Sequence, residues 1–479
     1  MRKSVIRDIG AAEATFDPMG CRAAVHHGDL LPLERRLTES LFRARRDTDS
    51  EDLGLDVVAA TSTIAQGLNL PCDVVILAGT DRSAVDDPSG NPRADLRPHE
   101  ILNALGRAGR AAYAATGLAI VVPATPICVE MDNLSLPSDG IMKIIFSEQD
   151  ACEEIYDPIE LLLDRIEISA NSDPKVQSII RRMSAVTTTG ESGFDDIVCR
   201  SLGFFRRRET NALRADQWLE HRRIALKAAE EQLEDPLVLD WQREIAIRNG
   251  VPPKLIERLV AAFDTAPVEK TATEHWINWL LDIVADHPLD LTIFVRQTAL
   301  ESVFGRSYTN TTKPRASSKR ILRALKTLVS MWCAGRTLIE IEHWLLAFIR
   351  KHEGEVKQQA NQSTTAQRAR RFAIRIAPDI GFLCGVLGQI AAYKAAEQGV
   401  PMSPVIEMLP QMVRAGDYDR HHMALRQMTK IASRVGTFET HISLRDLFKA
   451  GASAEMDVVR EEVQAAILLQ AFTDLDEEE

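Results

Sequence analysis

Four short apolar runs near the start of the chain constrain its fold most strongly. They lie at residues 22–26, 55–61, 74–79 and 118–123, and each is nearly continuous in apolar residues. Strands that are buried on both faces of a parallel sheet have this pattern. Between the first two runs, Pro32 opens a stretch in which leucines recur at helical spacing. Strand, helix and strand in succession predict a parallel α/β sheet.

The remainder of the chain is predicted to be mostly helical. Residues 80–97 are dense in turn-forming residues and predict an exposed loop, and a helix is expected after Pro98, running toward Arg110. After about residue 150 the strand signals fade. Apolar spacing predicts helices at 155–168, 218–233, from Pro252-Pro253 onward, 275–284, 321–332, 338–349, 382–396 and 457–472.

The predicted fold class is therefore α/β followed by mostly α. Two polar stretches, 309–318 and 353–367, interrupt the helices, and the second is expected to be a mobile connection. The tail carries a run of acidic residues that predicts disorder. These features predict a division of the chain into a poorly defined segment 1–21, an α/β lobe 22–145, helical regions 146–350 and 351–473, and an acidic tail 474–479.

Composition excludes several classes of protein. The formal net charge of −12 argues against a protein that coats nucleic acid by bulk charge, although a local basic groove is compatible with it. The seven cysteines form no CxxC pair, so neither a disulfide framework nor a metal site is predicted. The start has no apolar signal-peptide core, and no run of about 18 apolar residues is present. We therefore expect a cytoplasmic protein with no membrane partner.

The most distinctive motif lies at residues 103–110 and reads NALGRAGR. Arg107 and Arg110 are three residues apart, so a helix would place both on one face. Gly106 and Gly109 would let a phosphate or another backbone approach closely. A pair of guanidinium groups suits phosphoryl charge because each is planar and permanently charged. Taken alone, the motif also fits a surface helix with two solvated arginines.

Two further motifs precede it, and the second lies where an open α/β sheet binds ligands. The first, residues 24–36, reads AVHHGDLLPLERR and joins the first strand to its helix. The second, residues 60–71, reads ATSTIAQGLNLP and follows the second strand directly. Small and hydroxyl-bearing residues thus lie at the carboxyl end of a parallel strand. The order and separation of the three motifs make the combination much more specific than any one of them.

Together the three motifs resemble the second RecA-like lobe of the Ski2-like superfamily 2 helicases, a lobe of the P-loop NTPase type that carries no P-loop itself. The resemblance covers residues 22–123 firmly. It implies that Arg107 and Arg110 are catalytic arginines that stabilise the γ-phosphate during transfer. It also implies nucleotide contacts, which are assigned to Gly67, Asn69, Asn103 and Gly106. Nucleic-acid contacts are implied for His26, His27, Gly28, Thr61 and Thr63.

The sequence departs from this family in two respects. Asn103 stands where the family usually has glutamine, which keeps the amide but shortens its reach. More importantly, the chain contains no GxxxxGK[ST] loop and no Asp-Glu box to hold Mg²⁺. ATP with Mg²⁺ is therefore expected to bind only when a first RecA-like lobe is supplied by a partner protein or an upstream segment. We also expect the first strand of the lobe to be missing and Met1 to be an internal methionine of a longer ancestor.

The helical region also contains local basic clusters that could track phosphates. By resemblance, it would hold a winged helix and a strand-gripping helical domain, with residues 329–341 as the best-matching element. The alternative for each basic cluster is a solvated face that nearby carboxylates balance. The clusters are Arg206, Arg207, Arg208, Arg214, Arg222 and Arg223; then Lys313, Arg315, Lys319, Arg320, Arg323 and Lys326; then Arg368, Arg370, Arg371 and Arg375.

Two functions from different classes follow from the sequence. The first is an ATP-dependent helicase or translocase acting on DNA or RNA, in single-stranded form, to which this chain contributes the second motor lobe. The second is a non-catalytic nucleic-acid-binding adaptor or the remnant of a truncated gene. Intact Arg107, Arg110, Gly67 and Asn69 favour the first function, whereas the missing phosphate-binding loop favours the second.

Overall fold

The structure is a computed structural model of the 479-residue chain, and it divides into two compact units. One unit comprises Met1–Cys152, Gly335–Ile374 and Asp419–Glu479, and the other comprises Glu153–Ala334 and Arg375–Tyr418. The domain boundaries expected from the sequence stay a prediction. The structure describes residues 22–47, 54–61, 72–79, 81–83, 93–95, 98–109, 116–122, 157–169, 176–177, 179–181, 183, 193–233, 238–266, 272–286, 291–305, 314–353 and 366–418.

The first unit begins with a strand, a helix and a parallel strand. Strand β1 (Ala23–His26) pairs in parallel with β2 (Val57–Ala60), and Ala23 lies opposite Val57. Helix α1 (Pro32–Asp47) connects the two strands and packs against both. Proline fits the first helical turn because its missing N–H would have no partner there. The predicted β-α-β succession is confirmed here.

A second parallel pair follows in the same unit. Strand β3 (Val74–Ala78) pairs with the strand Leu118–Val122, and helix α2 (Pro98–Leu105) packs against β3. Between them, β4 (Asp81–Ser83) and β5 (Arg93–Asp95) form an antiparallel ladder. The prediction of a loop over 80–97 is therefore wrong at both of its ends, because the dense turn residues join two short strands. The strand Leu118–Val122 is β6.

The apolar strands are more exposed than the sequence indicated. Val57, Ile76 and Leu118 are 57%, 61% and 55% exposed. The prediction that these strands are buried on both faces is wrong for β2, β3 and β6 as described. The physical reason is that each described sheet has two strands, and the pairs β1–β2 and β3–β6 share no hydrogen-bonded edge.

Two later helices complete the described part of the first unit. Helix α13 (Leu338–Glu353) packs against the short helix α14 (Gln367–Arg371). Glu342, which is 1% exposed, accepts a hydrogen bond from the Ala369 backbone N–H at 2.8 Å. Burial raises the pKa of the Glu342 carboxyl, although the Ala369 amide and the positive charge of Arg368 oppose this shift.

The second unit is helical in all its described elements. Helices of 4 to 22 residues follow one another: α3 (Pro158–Ser169), α4 (Gly193–Cys199), α5 (Leu202–Thr210), α6 (Ala212–Leu233), α7 (Asp240–Asn249), α8 (Pro253–Asp264), α9 (Thr273–Asp286), α10 (Leu291–Phe294), α11 (Gln297–Phe304), α12 (Pro314–Cys333), α15 (Ala377–Gln398) and α16 (Pro404–Ala415). The mostly helical continuation predicted from the sequence is confirmed. The helix predicted at 457–472 lies outside the described residues, as do most of residues 353–367 and the acidic tail.

The first helices of this unit share one apolar core. Leu163 and Ile166 of α3 pack with Phe194 and Val198 of α4 and with Phe204 of α5. Burying such side chains stabilises a fold by about 1.5–3 kcal/mol each. Leu219 and Leu226 of α6 belong to the same core, which therefore holds α3 to α6 together.

A buried carboxylate secures the start of α3. Asp157 accepts hydrogen bonds from the Gly203 N–H at 2.7 Å and the Ile159 N–H at 2.9 Å. Burial alone would raise the pKa of Asp157, yet these amides and the Ser201 hydroxyl hold it below its ordinary value. Acidic residues are favoured at helix N-termini because they satisfy orphan N–H groups.

The end of α16 meets the end of α12 at very close range. Gly416 has a φ of +71°, and a Cβ there would lie 2.5 Å from the Trp332 ring. The Trp332 Nε1–H donates to the Val413 carbonyl at 2.9 Å. Glycine is therefore required at residue 416 for both its backbone angle and its small size.

One helical stretch of the described residues, Gln367–Gln398, is long and apolar enough to cross a membrane by length and composition. It contains α14, a π-helical turn at Phe372–Ile376, and α15. In its most apolar window, 56% of the residues are buried inside the structure. A helix packed into a protein core has the same pattern.

Candidate nucleic-acid and nucleotide site

The turn after β1 carries the first group of predicted contact residues. His26, the last residue of β1, is 3% exposed, and its Nε2 lies 3.1 Å from the Glu39 Oε1 of α1. Its side chain therefore faces the helix. His27 is half-buried, and its Nδ1 accepts a hydrogen bond from the Asp29 backbone N–H at 3.2 Å. Gly28 is exposed, and a Cβ at this position would meet nothing within 4 Å. The space above Gly28 is thus open to a ligand.

Thr61 lies beside this turn, at the carboxyl end of β2. Its backbone N–H donates to the His26 carbonyl at 3.1 Å, which extends the parallel ladder by one residue. Thr61 is exposed. Because parallel strands end at the same edge of a sheet, the ladder brings the two predicted nucleic-acid motifs together. Thr63, Gly67 and Asn69 lie outside the described residues.

Arg107 lies in the turn after α2, so the prediction of an arginine pair on one helical face is wrong for this residue. Helix α2 ends at Leu105, and the chain continues through a turn in which the Arg107 N–H donates to the Ala104 carbonyl at 3.2 Å. The side chain is buried, with 8% exposure. Arg110, the second predicted catalytic arginine, lies outside the described residues.

Gly109 explains why the helix stops there. Its φ is +64°, its N–H donates to the Cys72 carbonyl at 3.0 Å, and a Cβ would lie 2.4 Å from the Gly117 nitrogen. The backbone of this turn is thereby pinned to the start of β3, and the Cys72 thiol contacts the Arg107 carbonyl at 3.5 Å. Gly109 thus allows the close approach of another backbone, which is one of the two uses predicted for the glycines of this motif.

The remaining predicted nucleotide contacts are accessible. Asn103 is exposed on α2, and Gly106 is exposed in the turn that follows. A Cβ at Gly106 would lie 3.1 Å from the Leu102 carbonyl oxygen, a tight contact. Among the residues that the structure describes, no group of three or more His, Cys, Asp or Glu side chains could hold a metal ion.

Sequence reasoning missed one prominent ion-pair cluster. Glu34 of α1 and Arg370 of α14 form a bidentate pair whose side chains are 1% and 4% exposed. Arg371, the next residue, binds Asp29 in the turn after β1, with Nε 2.8 Å from Oδ2. The only signal in the sequence was the basic stretch that contains both arginines, and it gave no indication of the acidic partners.

The three basic clusters differ in their partners. In the first, Arg207 binds Glu160, and Arg222 binds Asp164 and Glu167, which supports a charge-balanced surface. In the third, Arg370 and Arg371 are held by carboxylates in the way just described. In the second, Lys326 pairs with Asp282, and a groove of about 220 Å³ is lined by Asp282, Ala285, Lys319, Leu322, Arg323 and Lys326.

Comparison with known proteins finds relatives that match about a fifth of the chain. No protein-family profile matches the chain. The antiviral helicase SKI2 of Saccharomyces cerevisiae is 40% identical over 99 residues, which is 21% of this chain and 7% of that protein. The RQC trigger complex helicase SLH1 of the same yeast is 36% identical over 97 residues, which is 20% of this chain and 4% of the length of SLH1.

A human relative agrees with these two. The U5 small nuclear ribonucleoprotein 200 kDa helicase of Homo sapiens is 35% identical over 99 residues, which is 21% of this chain and 4% of the human protein. The chain therefore spans less than a tenth of the length of the curated relatives it matches. These matches confirm the resemblance found in the motifs: about a fifth of this chain is homologous to the Ski2-like DExH helicases of superfamily 2.

Proposed function

We propose that this chain supplies the second RecA-like motor lobe, and an accompanying helical region, of an ATP-dependent helicase or translocase. One observation carries the proposal. The N–H of Thr61 binds the carbonyl of His26, so two motifs that are far apart in the sequence meet at one sheet edge. The open space above Gly28 lies at that edge. A nucleic-acid strand bound there would contact backbone amides and hydroxyls, which hold phosphates without reading sequence.

ATP and Mg²⁺ belong to the proposal only as part of a composite site. The sequence has no phosphate-binding loop, and the described residues offer no cluster of metal-binding side chains. The residues present therefore do not fit ATP with Mg²⁺ by themselves. Asn103, Gly106, Gly67 and Asn69 are proposed to face the nucleotide when a partner protein or another segment supplies the first lobe.

Arg107 and Arg110 are proposed to act on the γ-phosphate in that joined motor. Arginines in this role accelerate phosphoryl transfer by about 10³ to 10⁵ where measured. Arg107 is 8% exposed in this chain, so contact with a γ-phosphate that the first lobe holds requires this side chain to become accessible. We also propose that the protein is cytoplasmic and that its substrate is single-stranded DNA or RNA.

The test joins this chain to a first lobe taken from a Ski2-like helicase and measures ATP hydrolysis with and without a single strand. We expect strand-stimulated hydrolysis in the joined protein and a loss of at least about 10³ in rate for Arg107→Ala. Arg336→Ala, which removes an exposed arginine of the pair Arg336–Glu340, serves as the matched control. Restored hydrolysis that Arg107→Ala leaves intact would show that the assignment of Arg107 is wrong.

A second candidate function is a nucleic-acid-binding adaptor that turns over no ATP. The absence of a GxxxxGK[ST] loop from the 479 residues favours it. The adaptor predicts strand binding that is unaffected by nucleotide and by Arg107→Ala, with or without a first lobe. A gene remnant predicts neither strand binding nor hydrolysis. Equilibrium binding of labelled single strands to the full chain separates these two outcomes.

A further inference from the structure

Two adjacent arginines hold the segment that leads from β1 into α1. Arg370 donates two parallel hydrogen bonds to Glu34, from Nη2 to Oε1 at 2.7 Å and from Nε to Oε2 at 3.1 Å. The Glu34 Oε2 also accepts the Leu31 backbone N–H at 2.9 Å. A planar guanidinium matches a carboxylate in this geometry, which fixes orientation as well as distance. Glu34 therefore caps its own helix and anchors it to α14.

Arg371 acts on the turn itself. Its Nε donates to the Asp29 Oδ2 at 2.8 Å, and the two side chains are 26% and 15% exposed. The backbone N–H of Asp29 in turn donates to the His27 Nδ1 at 3.2 Å. A chain of two hydrogen bonds thus connects the Arg371 guanidinium to the imidazole ring of His27. The open position of Gly28 lies between His27 and Asp29.

The helix that presents both arginines is itself fixed. Glu342 of α13 accepts the Ala369 N–H at 2.8 Å, directly before Arg370, and Ala369 is fully buried. Arg370 is therefore held on one side by a capped backbone and on the other by Glu34. Arg371 follows it on this rigid base, so the Asp29 carboxylate is held in one place. Loops that are ordered before binding lose less conformational entropy when they bind.

We propose that Arg371 is a positioning residue for nucleic-acid binding, which orients the His27–Gly28 turn through Asp29. Arg370 provides the anchor from which Arg371 acts. This inference rests on the proposed function, because it takes the turn to be a strand contact. It adds the residues, far away in the sequence, that would set the affinity of that contact.

The experiment measures fluorescence anisotropy of labelled oligothymidylate and oligouridylate with the full chain, without nucleotide. The decisive variant is Asp29→Asn. Removing a negative charge should tighten the binding of an anion if only electrostatics matters. Positioning predicts the opposite result, a loss of affinity of about three- to tenfold. A second variant, Arg371→Gln, removes the other partner of the ion pair. Its control is Arg336→Gln, which makes the same charge change at an exposed ion pair and so measures the effect of net charge alone.

A double-mutant cycle then identifies the route of the effect. Arg371→Gln should weaken binding by a similar factor in the wild-type background and by much less in the His27→Ala background, since both act through one turn. Arg371→Lys should recover part of the affinity. Thermal melting monitored by circular dichroism establishes that each variant is folded, and Arg371→Gln leaves the Glu34–Arg370 pair in place.

The outcomes separate the inference from the function on which it rests. If His27→Ala binds as tightly as wild type, the proposed strand contact is overturned. If His27→Ala weakens binding while Asp29→Asn tightens it, the contact stands and the positioning role of Arg371 is overturned. Equal losses for Arg371→Gln in both backgrounds also overturn it, because they indicate a direct phosphate contact by Arg371.

Discussion

Replacing Arg370 by methionine should destabilise the packing of α1 on α14. The substitution leaves the Glu34 carboxylate, which is 1% exposed, without its cation. Removing one partner of a buried ion pair costs about 3–5 kcal/mol, because the remaining charge is uncompensated. Glu34 retains the Leu31 N–H as a donor, which places the expected cost near the lower end, about 3 kcal/mol. That free energy corresponds to about a hundredfold change in a local opening equilibrium.

Hydrogen exchange is the suitable assay because it reports the opening of one region in a chain that divides into two units. Amide protection in the peptides that cover Pro32–Asp47 should fall by about a hundredfold in Arg370→Met. The matched control is Arg336→Met. Its pair with Glu340 is 61% and 46% exposed, so its loss should cost about 1 kcal/mol or less.

A double variant tests the electrostatic reasoning directly. Glu34→Leu combined with Arg370→Met removes both charges, and replacement of a buried pair by apolar groups is often neutral or stabilising. Protection of α1 should therefore return close to the wild-type level. If Arg370→Met alone leaves α1 protected within about threefold of wild type, the pair contributes little and the reasoning is refuted.

Two further predictions concern stability. Gly416→Ala should lower the urea midpoint clearly more than Gly399→Ala: both glycines have positive φ, but a Cβ at 416 would clash with Trp332, whereas nothing lies within 4 Å at 399. The two variants should differ by about 1–3 kcal/mol in the free energy of unfolding, and equal urea midpoints would contradict the clash. Glu342→Gln should remove a pH dependence. The raised pKa of Glu342 means that the folded state holds its proton longer, so wild-type protection around Ala369 should fall as pH rises above 4.5. Exchange rates that change equally with pH in both proteins, after correction for intrinsic exchange, would contradict this.

Local sequence patterns predicted where helices begin, but not where α2 ends or how far the strands are buried. Pro32 and Pro98 marked the starts of α1 and α2 correctly, since proline restricts φ and needs no donor partner there. The end of α2 was predicted too late, because Gly109 adopts a left-handed conformation that depends on the close approach of Gly117. The apolar character of β3 indicated a buried strand, whereas burial depends on what covers a sheet.

The same contrast between local pattern and tertiary packing holds for the residues of the candidate site. The hydrogen bond from the Thr61 N–H to the His26 carbonyl agrees with the rule that parallel strands end at one edge of a sheet. The pair of Glu34 with Arg370 spans 336 residues, and no periodicity connects residues at that separation. The partners of an arginine are set by tertiary packing. A basic run in the sequence therefore predicts a charge but not whether that charge is available to a ligand.

The basic face of α12 is the surface on which this difference can be measured. Lys319, Arg320 and Arg323 are exposed, and in the described part of the chain none of the three has an ion pair. If they bind phosphates, each contact releases counterions and makes the slope of log K against log salt steeper, that is more negative, by about 0.7 for a single strand. Replacing all three by glutamine should reduce the slope by about two.

The control replaces three arginines that already have carboxylate partners, the half-buried Arg243 and the exposed Arg248 and Arg336, by glutamine. It lowers the positive charge equally but removes cations whose charge is locally balanced, so the slope should change by much less than two. Equal changes in both triple variants would mean that net charge, rather than this face, determines binding. A slope unchanged in the α12 variant would exclude phosphate contacts there and leave the edge formed by β1 and β2 as the strand-binding surface.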